Sequence, residues 1–163
     1  MSAPQAGITP TGRASARPDD AVTPLINDHR EAKDLFKQYE AAKGDNRKKQ
    51  AIYRKIAAEL RIHMRIEEEI FYPASRKFVG DEGMVNEAEV EHASAKDLMD
   101  QLDGLEPSDP YFDAKVTVLS EMIDHHVEEE ETEYFPECRR STMDLKAIGE
   151  QMKTRKAELK AAH

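Results

Sequence analysis

Four histidines and two glutamates in this sequence have types and spacings that suit metal binding. The candidate ligands are His29, His63, Glu67, His92, His126 and Glu130. Two of the histidines are each followed four residues later by one of the glutamates. Residues four apart on a helix share one face, with Cβ atoms roughly 6 Å apart, so each such pair brings an imidazole and a carboxylate within reach of one ion. This donor set suits iron, zinc or manganese, and a single cysteine excludes a thiolate-held iron–sulfur cluster.

These residues belong to an internal repeat. The recurring segments are Asp28-His29 with Ala32-Lys33-Asp34-Leu35, matched by Glu91-His92 with Ala95-Lys96-Asp97-Leu98, and His63 to Pro73, matched by His126 to Pro136. Both matches have the same offset of 63 residues. A shared offset in two separate segments predicts a duplicated helical hairpin.

The elements that position these residues are long helices broken by glycine and proline. We predict helices over about residues 23–43, 46–72, 84–103 and 110–135, the first capped by Thr23 with Pro24 at its first position. Short connections favour antiparallel neighbours, so the fold class is all-α, an up-down-up-down four-helix bundle. A fifth helix, capped by Ser141 and Asp144, is expected to run to about residue 160.

Each histidine falls on the apolar stripe of its own helix. The predicted inward positions of the second and fourth helices are Ile52, Ile56, His63, Glu67 and Ile70, and Phe112, Val116, Leu119, Ile123, His126, Glu130 and Tyr134. A carboxylate buried without a partner costs several kcal/mol or changes its pKa. Two such glutamates facing four imidazoles predict bound cations.

Each of these features alone has a simpler interpretation. A lone histidine on an apolar stripe is more often a satisfied core residue than a ligand, and the glutamate runs at 67–69 and 128–131 are typical of solvated faces. The duplicated combination favours metal binding. His125 lies about 100° around the helix from His126, which favours a surface role or a contact behind the ligands.

Composition narrows the class of protein. The 163 residues carry a formal net charge of −9, which argues against nucleic acid as a partner. No apolar run reaches the ~20 residues that span a membrane, and the start of the chain lacks the apolar segment of a signal peptide. With one cysteine, Cys138, these features predict a cytoplasmic protein.

Three regions follow from the pattern. Residues 1–20 are predicted to be a disordered tail, residues 21–138 the bundle, and residues 139–163 a basic helical extension. The extension has an apolar stripe of Leu145, Ile148, Met152 and Leu159. It is expected to pack across the bundle; the alternative is a protein partner or self-association through residues 141–160.

The six candidate ligands resemble the signature of the hemerythrin-like (HHE) cation-binding domains, and so do the segments that end at Pro73 and Pro136. The resemblance covers roughly residues 23–137 and implies two iron ions bridged by carboxylates and an oxo or hydroxo group, with zinc or manganese less favoured. By analogy, His29 and His63 would serve one iron, His92 and His126 the other, and Glu67 and Glu130 would bridge them.

The sequence departs from the family's oxygen carriers at two places. Lys96 stands where their third helix has a second histidine, so both irons are expected to have open positions. Their fourth helix places an aspartate five residues after its histidine, whereas here both Glu130 and Glu131 are glutamate, which leaves the ligand open between them.

The resemblance implies a site that binds or reduces oxygen, peroxide or nitric oxide. Because both irons are expected to be open, we predict peroxide consumption of a catalase-like kind rather than reversible oxygen storage. The alternative is a non-catalytic iron-binding, iron-sensing or oxygen-sensing protein that acts through a partner.

Overall fold

The computed structural model describes residues 20–162, and every regular element in that part of the chain is a helix. The predicted all-α bundle, built from two hairpins with an additional C-terminal helix, is confirmed. The predicted tail lies outside the described residues except for Asp20. None of the helices between residues 20 and 162 is long and apolar enough to cross a membrane.

Residues 20–162 form five helices. They are α1 (Val22–Ala41), α2 (Asn46–Ile66, continued by Glu67–Phe71 and Tyr72–Arg76), α3 (Glu82–Asp103), α4 (Phe112–Glu129, continued by Glu130–Tyr134 and Phe135–Arg140) and α5 (Leu145–Ala161). The first pair and the second pair form the two hairpins, and the four helices enclose a common core.

The first helix begins earlier than its sequence signal indicated. Thr23 was predicted as the cap, but α1 already includes Val22, and the Asp20 carboxylate accepts the Val22 N–H at 2.6 Å. Pro24 still falls within the first turn, where a helix needs no backbone donor. The cap prediction was therefore wrong by two residues: Ala21 is at the cap position, and the aspartate before it accepts the first helical N–H.

Both long helices that carry a His-x-x-x-Glu pair continue past a proline through one π-helical turn. The two turns are Glu67–Phe71 and Glu130–Tyr134. In an α-helix the ring of Pro73 would clash with the carbonyl four residues earlier. Here the Tyr72 N–H reaches the Glu67 carbonyl five residues back, which widens the helix just before the proline. The second turn repeats this pattern before Pro136.

The extra residue in each π turn shifts the buried face by one position. Ile70 was predicted to face inward but is only partly buried, whereas Phe71, Tyr72 and Ser75 are fully buried. A strict 3.6-residue period fails here because a π turn holds one residue more than an α turn. The shift brings Tyr72 into the centre of the bundle.

The core consists of two apolar clusters, one toward each end of the bundle. Along α1, Leu25 belongs to one cluster and Ala32 to the other, and along α3 Ala88 and Ala95 divide in the same way. The four inward histidines lie at this boundary. Apolar packing above and below therefore fixes the helices that carry the candidate ligands.

The C-terminal helix α5 packs on the bundle beside α1 and α2. Its stripe residues Ile148, Met152 and Leu159 are buried in the same cluster as Leu25. The Ala21 N–H also donates to the Leu145 carbonyl at 3.0 Å. Since this stripe is covered by the chain itself, a protein partner or self-association through 141–160 stays a prediction that would have to use the polar face.

Candidate metal centre

The four inward histidines come one from each bundle helix and form two close pairs. In the first hairpin the rings of His29 and His63 are 4.9 Å apart between centroids, and in the second hairpin those of His92 and His126 are 4.8 Å apart. All four are buried. The structure thus brings together the four histidines that the sequence singled out.

Each inward glutamate lies between one histidine of each pair. The Glu67 Oε1 atom is 2.8 Å from His63 Nε2 and 3.5 Å from His92 Nε2. The Glu130 Oε1 atom is 2.7 Å from His126 Nε2 and 3.6 Å from His29 Nε2. A carboxylate in this position can serve two ions, one beside each histidine pair.

Several of these buried polar atoms lack a hydrogen-bond partner among the residues that the structure describes. They are both ring nitrogens of His29, Nε2 of His63, both carboxylate oxygens of Glu67 and Oε1 of Glu130. Their short contacts do not have hydrogen-bond geometry, so unmet polar atoms converge on one spot. Each costs about 1–3 kcal/mol if left unsatisfied. The donor set therefore fits metal ions with imidazole and carboxylate ligands.

Neighbouring carboxylates favour the protonated, charged forms of His63 and His126 in the metal-free centre. Burial disfavours the charged ring of His63, but the Glu67 and Asp28 carboxylates outweigh it and raise its pKa to about 10. For His126, Glu130 and Glu91 overcome burial in the same way and raise the pKa to about 11. A metal ion that binds here must displace these protons.

A carboxylate also stands behind the metal-facing side of each histidine. In the first hairpin the His63 Nδ1–H donates to Asp28 Oδ2 at 2.9 Å, and in the second His126 Nδ1 is 3.5 Å from Glu91 Oε1. Such partners fix the ring orientation and raise ligand basicity. The sequence analysis assigned Asp28 and Glu91 no role, although both precede a histidine at matched positions of the repeat.

The other two histidines have outer carboxylates from the neighbouring hairpin. His92 Nδ1 is 3.2 Å from Glu68 Oε2, and Lys96 Nζ contacts both oxygens of Glu68 at 2.6 and 2.7 Å. Glu131 Oε1 lies 3.9 Å from His29 Nδ1. Lys96 thus anchors the carboxylate behind His92.

The carboxylates of Glu130 and Glu131 lie near different ring nitrogens of His29. The Glu130 side chain is 4% exposed and faces the Nε2 atoms, whereas Glu131 is 34% exposed and lies behind His29. The alternative ligand is therefore turned away from the centre.

Tyr72 is a further site residue that the sequence analysis missed. Its hydroxyl is 3.3 Å from Glu130 Oε2 and 3.5 Å from the Nε2 atoms of both His92 and His126. The matched residue of the repeat is Phe135, whose ring stacks on His29 at 5.8 Å. Helical periodicity could not identify Tyr72, because only the π turn rotates it inward.

A cavity of about 40 Å³ adjoins both histidine pairs, since all four histidines line it. It extends from His29 and His63 to the exposed residues Glu31 and Lys160, with Lys156 of α5 in its wall. This volume admits a few water-sized molecules. The centre is thus within reach of small ligands and closed to large ones.

His125 does not take part in the centre. Its side chain is 67% exposed and pairs with Glu129 at 3.3 Å on the surface of α4. Glu91 lies nearby, and the ligand atoms of these three residues lie within 4.8 Å of one another at the surface. Of the two roles expected for His125, the surface one matches its position.

Two similar proteins bear on this geometry. A hemerythrin HHE cation binding domain-containing protein from Mycobacterium kansasii superposes with a TM-score of 0.76 at 24% identity, over 88% of each chain. A protein named DNA nickase from Nostoc sp. (strain PCC 7120) is 33% identical over 112 residues, which are 69% of this chain and 31% of the relative. The chain therefore spans about a third of that relative's length.

The sequence model of the family described as hemerythrin HHE cation binding domain matches residues 20–138. That segment contains both hairpins, all six inward donors and both π turns. With its bundle fold and its paired histidine and glutamate residues, the chain belongs to the hemerythrin HHE cation binding domain family.

Proposed function

We propose that the chain is a cytoplasmic non-haem di-iron protein that binds or reduces a small ligand. The proposed ligands are His29 and His63 for one iron, His92 and His126 for the other, and Glu67 and Glu130 as bridges. The observation that carries the proposal is the convergence of buried histidines from all four helices on buried atoms that lack a hydrogen-bond partner, which come from α1, α2 and α4. Iron is favoured over zinc or manganese by family analogy.

The sharing of the glutamates supports a pair of ions over a single ion. Two groups of donors have atoms within 4.8 Å of one another, and each combines two histidines of one hairpin with the glutamate of the other. Two groups of three donors, each with its own glutamate, favour one ion in each group. We therefore expect two metal ions per chain.

The surrounding residues favour chemistry on small molecules. A bound iron pair can exchange two electrons with a small oxidant. The Tyr72 hydroxyl, next to Glu130, can donate a hydrogen bond to a ligand at the centre. Its pKa is raised well above the usual range by burial and by the two glutamates, so the hydroxyl keeps its proton at neutral pH.

The absence of a second histidine ligand on α3 supports peroxide consumption over reversible oxygen storage. Lys96 occupies that position and points to Glu68. The six donors supply each iron with about four protein atoms, which leaves room for an external ligand on both. Hydrogen peroxide is thus the favoured substrate, with oxygen and nitric oxide as further ligands.

Metal analysis followed by optical spectroscopy tests this function. Purified protein should contain two irons per chain with the magnetic coupling of a bridged pair. Added peroxide should be consumed, and the oxygen-exposed di-ferrous protein should not revert on purging. One metal per chain would contradict the pair, and a spectrum that reverses on purging without peroxide loss would restore oxygen carriage.

Stability offers a second test that needs no activity. Because the metal-free centre leaves buried atoms unmet, metal at 100 times its Kd should add about 2.7 kcal/mol to the free energy of unfolding. The melting temperature of loaded protein should rise accordingly. Equal melting of both forms would argue against buried ligands.

A non-catalytic iron or oxygen sensor is the second candidate. It is supported by α5, which contacts the centre through Lys156 and presents a polar outer face. Iron loading without peroxide turnover, together with a change in protein association on loading, would favour this function.

We propose no activity on DNA. The name of the Nostoc relative concerns a protein of which this chain spans 31%, and the net charge of −9 opposes contact with phosphates. Conversion of supercoiled plasmid to nicked circles by the purified chain would contradict this.

A further inference from the structure

A lysine stands on the buried side of α5. Lys156 follows the buried Met152 by four residues and precedes the buried Leu159 by three, so all three share one helix face. Its side chain is 30% exposed, so Lys156 lies at the edge of this buried face.

Lys156 is the outer end of a series of contacts that reaches the centre. Its Nζ atom is 2.6 Å from Asp28 Oδ1, and the second oxygen of Asp28 accepts the Nδ1–H of His63 at 2.9 Å. The opposite nitrogen of His63 lies 2.8 Å from Glu67 Oε1. Both oxygens of one carboxylate are thus used, one by α5 and one by a candidate ligand.

The second hairpin has a looser counterpart. Glu91 is 3.5 Å from His126 Nδ1 and its side chain is 27% exposed, against 14% for Asp28. Helix α5 packs beside α1 and α2, on the side of the first hairpin. His92 in the other half also has a lysine-anchored carboxylate, Glu68 held by Lys96. The arrangement at His63 differs in being anchored from α5.

Ion pairs stabilise the position of α5 on the bundle. Arg155 donates to Glu69 at 2.8 Å, on the outer side of the π turn that begins at Glu67. Lys156 also forms part of the wall of the cavity beside His29 and His63. The helix lies outside residues 20–138, so the family match does not account for it.

We propose that Lys156 is a positioning residue that orients His63 through Asp28 and so makes one of the two metal positions depend on the docked C-terminal helix. The dependence on metal rests on the proposed di-iron function. The orientation of His63 does not, because the contacts are formed by the chain itself.

The test compares Lys156→Met with Lys160→Met in full-length protein. Lys160 is four residues further along the same helix and also lines the cavity, which makes it a matched control. In the proton NMR spectrum of the metal-free protein, Lys156→Met should abolish the sharp Nδ1–H signal of His63 and leave that of His126 in place. Lys160→Met should leave both signals.

Zinc titration gives the corresponding readout on the metal sites. Mutation of residues that contact metal ligands typically changes metal affinity about 10- to 100-fold. Lys156→Met should therefore weaken the binding of one of two zinc ions by about tenfold and leave the affinity for the other unchanged. In an Asp28→Asn background it should have no further effect. Melting curves identify any variant that fails to fold, and Lys156→Arg should restore part of the affinity.

The two proposals fail in different ways. If the chain binds no metal pair, the NMR comparison of metal-free protein still tests Lys156. Unchanged His63 signals, equal changes at His63 and His126, or additive effects of Lys156→Met and Asp28→Asn would each overturn the positioning role.

Discussion

The two hairpins around the candidate centre are nearly equivalent at the ligands and different just behind them. The histidine pairs are 4.9 and 4.8 Å apart, and each glutamate approaches its own helix's histidine at 2.8 or 2.7 Å. Behind the ligands, Asp28 is anchored by Lys156, while Glu91 is more exposed. The repeat therefore sets the metal geometry, and residues outside it make the two positions unequal.

A second difference concerns the hydroxyl at the centre. Tyr72 in the first hairpin contacts Glu130, whereas its counterpart Phe135 only stacks on His29. The hydroxyl thus contacts the second histidine pair, and the carboxylate anchored from α5 contacts the first. Equivalent ligands can in this way have different basicity and different access to a proton donor.

The largest expected effect is loss of metal on removing either shared carboxylate. Because outer partners alone cost about 10- to 100-fold in metal affinity, Glu67→Gln and Glu130→Gln should each cost more than about 100-fold. Metal analysis should find less than one iron per chain in both variants. Glu131→Gln is the control and should keep its iron. A variant that keeps one tightly bound ion would indicate two independent sites.

The next effect is the pH dependence of metal affinity. The raised pKa values of His63, about 10, and His126, about 11, mean that both rings hold a proton at neutral pH. Each displaced proton makes affinity rise about tenfold per pH unit below those values. Calorimetry of zinc binding in buffers of different ionisation enthalpy should report about two protons released. Release near zero would contradict protonated histidines in both halves.

The outer carboxylates should separate the two halves. Asp28→Asn is expected to weaken metal binding about 10- to 100-fold, and Glu91→Gln less, because Glu91 lies farther from its histidine and is more exposed. Competitive chelator titration of the cobalt-loaded variants would measure both. The reverse ranking would remove the inequality inferred from α5.

The smallest effect should come from the tyrosine hydroxyl. One neutral hydrogen bond is worth about 0.5–1.5 kcal/mol, so Tyr72→Phe should slow peroxide consumption by up to about tenfold while the iron content stays at two. Phe135→Tyr is the matched change in the other hairpin. Loss of iron in Tyr72→Phe would instead show that the hydroxyl supports the ligands.

The sequence predicted the bundle and its candidate donors well for identifiable reasons. The repeat at an offset of 63 residues and the 3.6-residue spacing of His29 with Ala32 and Phe36 suffice to define helices and their inward faces. Such patterns are local along the chain and survive folding unchanged. The position of α5 on the bundle was likewise favoured by its own apolar stripe.

Periodicity failed where the period itself changes. The π turn at Glu67–Phe71 moves the inward face from Ile70 to Phe71 and Tyr72, so a straight-helix pattern could not find the tyrosine. The cap of α1 was misplaced for a related reason, since Asp20 reaches over Ala21 to the first helical N–H. The π turn changes the backbone period, and the Asp20 side chain reaches an N–H two residues later. The spacing of apolar residues indicates neither feature.

The sequence by itself thus determined the fold class, the repeat and the six inward donors, because these follow from residue types at regular spacing. Only the tertiary structure decided which carboxylate supports which histidine. Asp28 and His63 are 35 residues apart, and Lys156 is 128 residues from Asp28. Contacts over such separations depend on how helices pack, and packing is set by the whole core rather than by any local pattern.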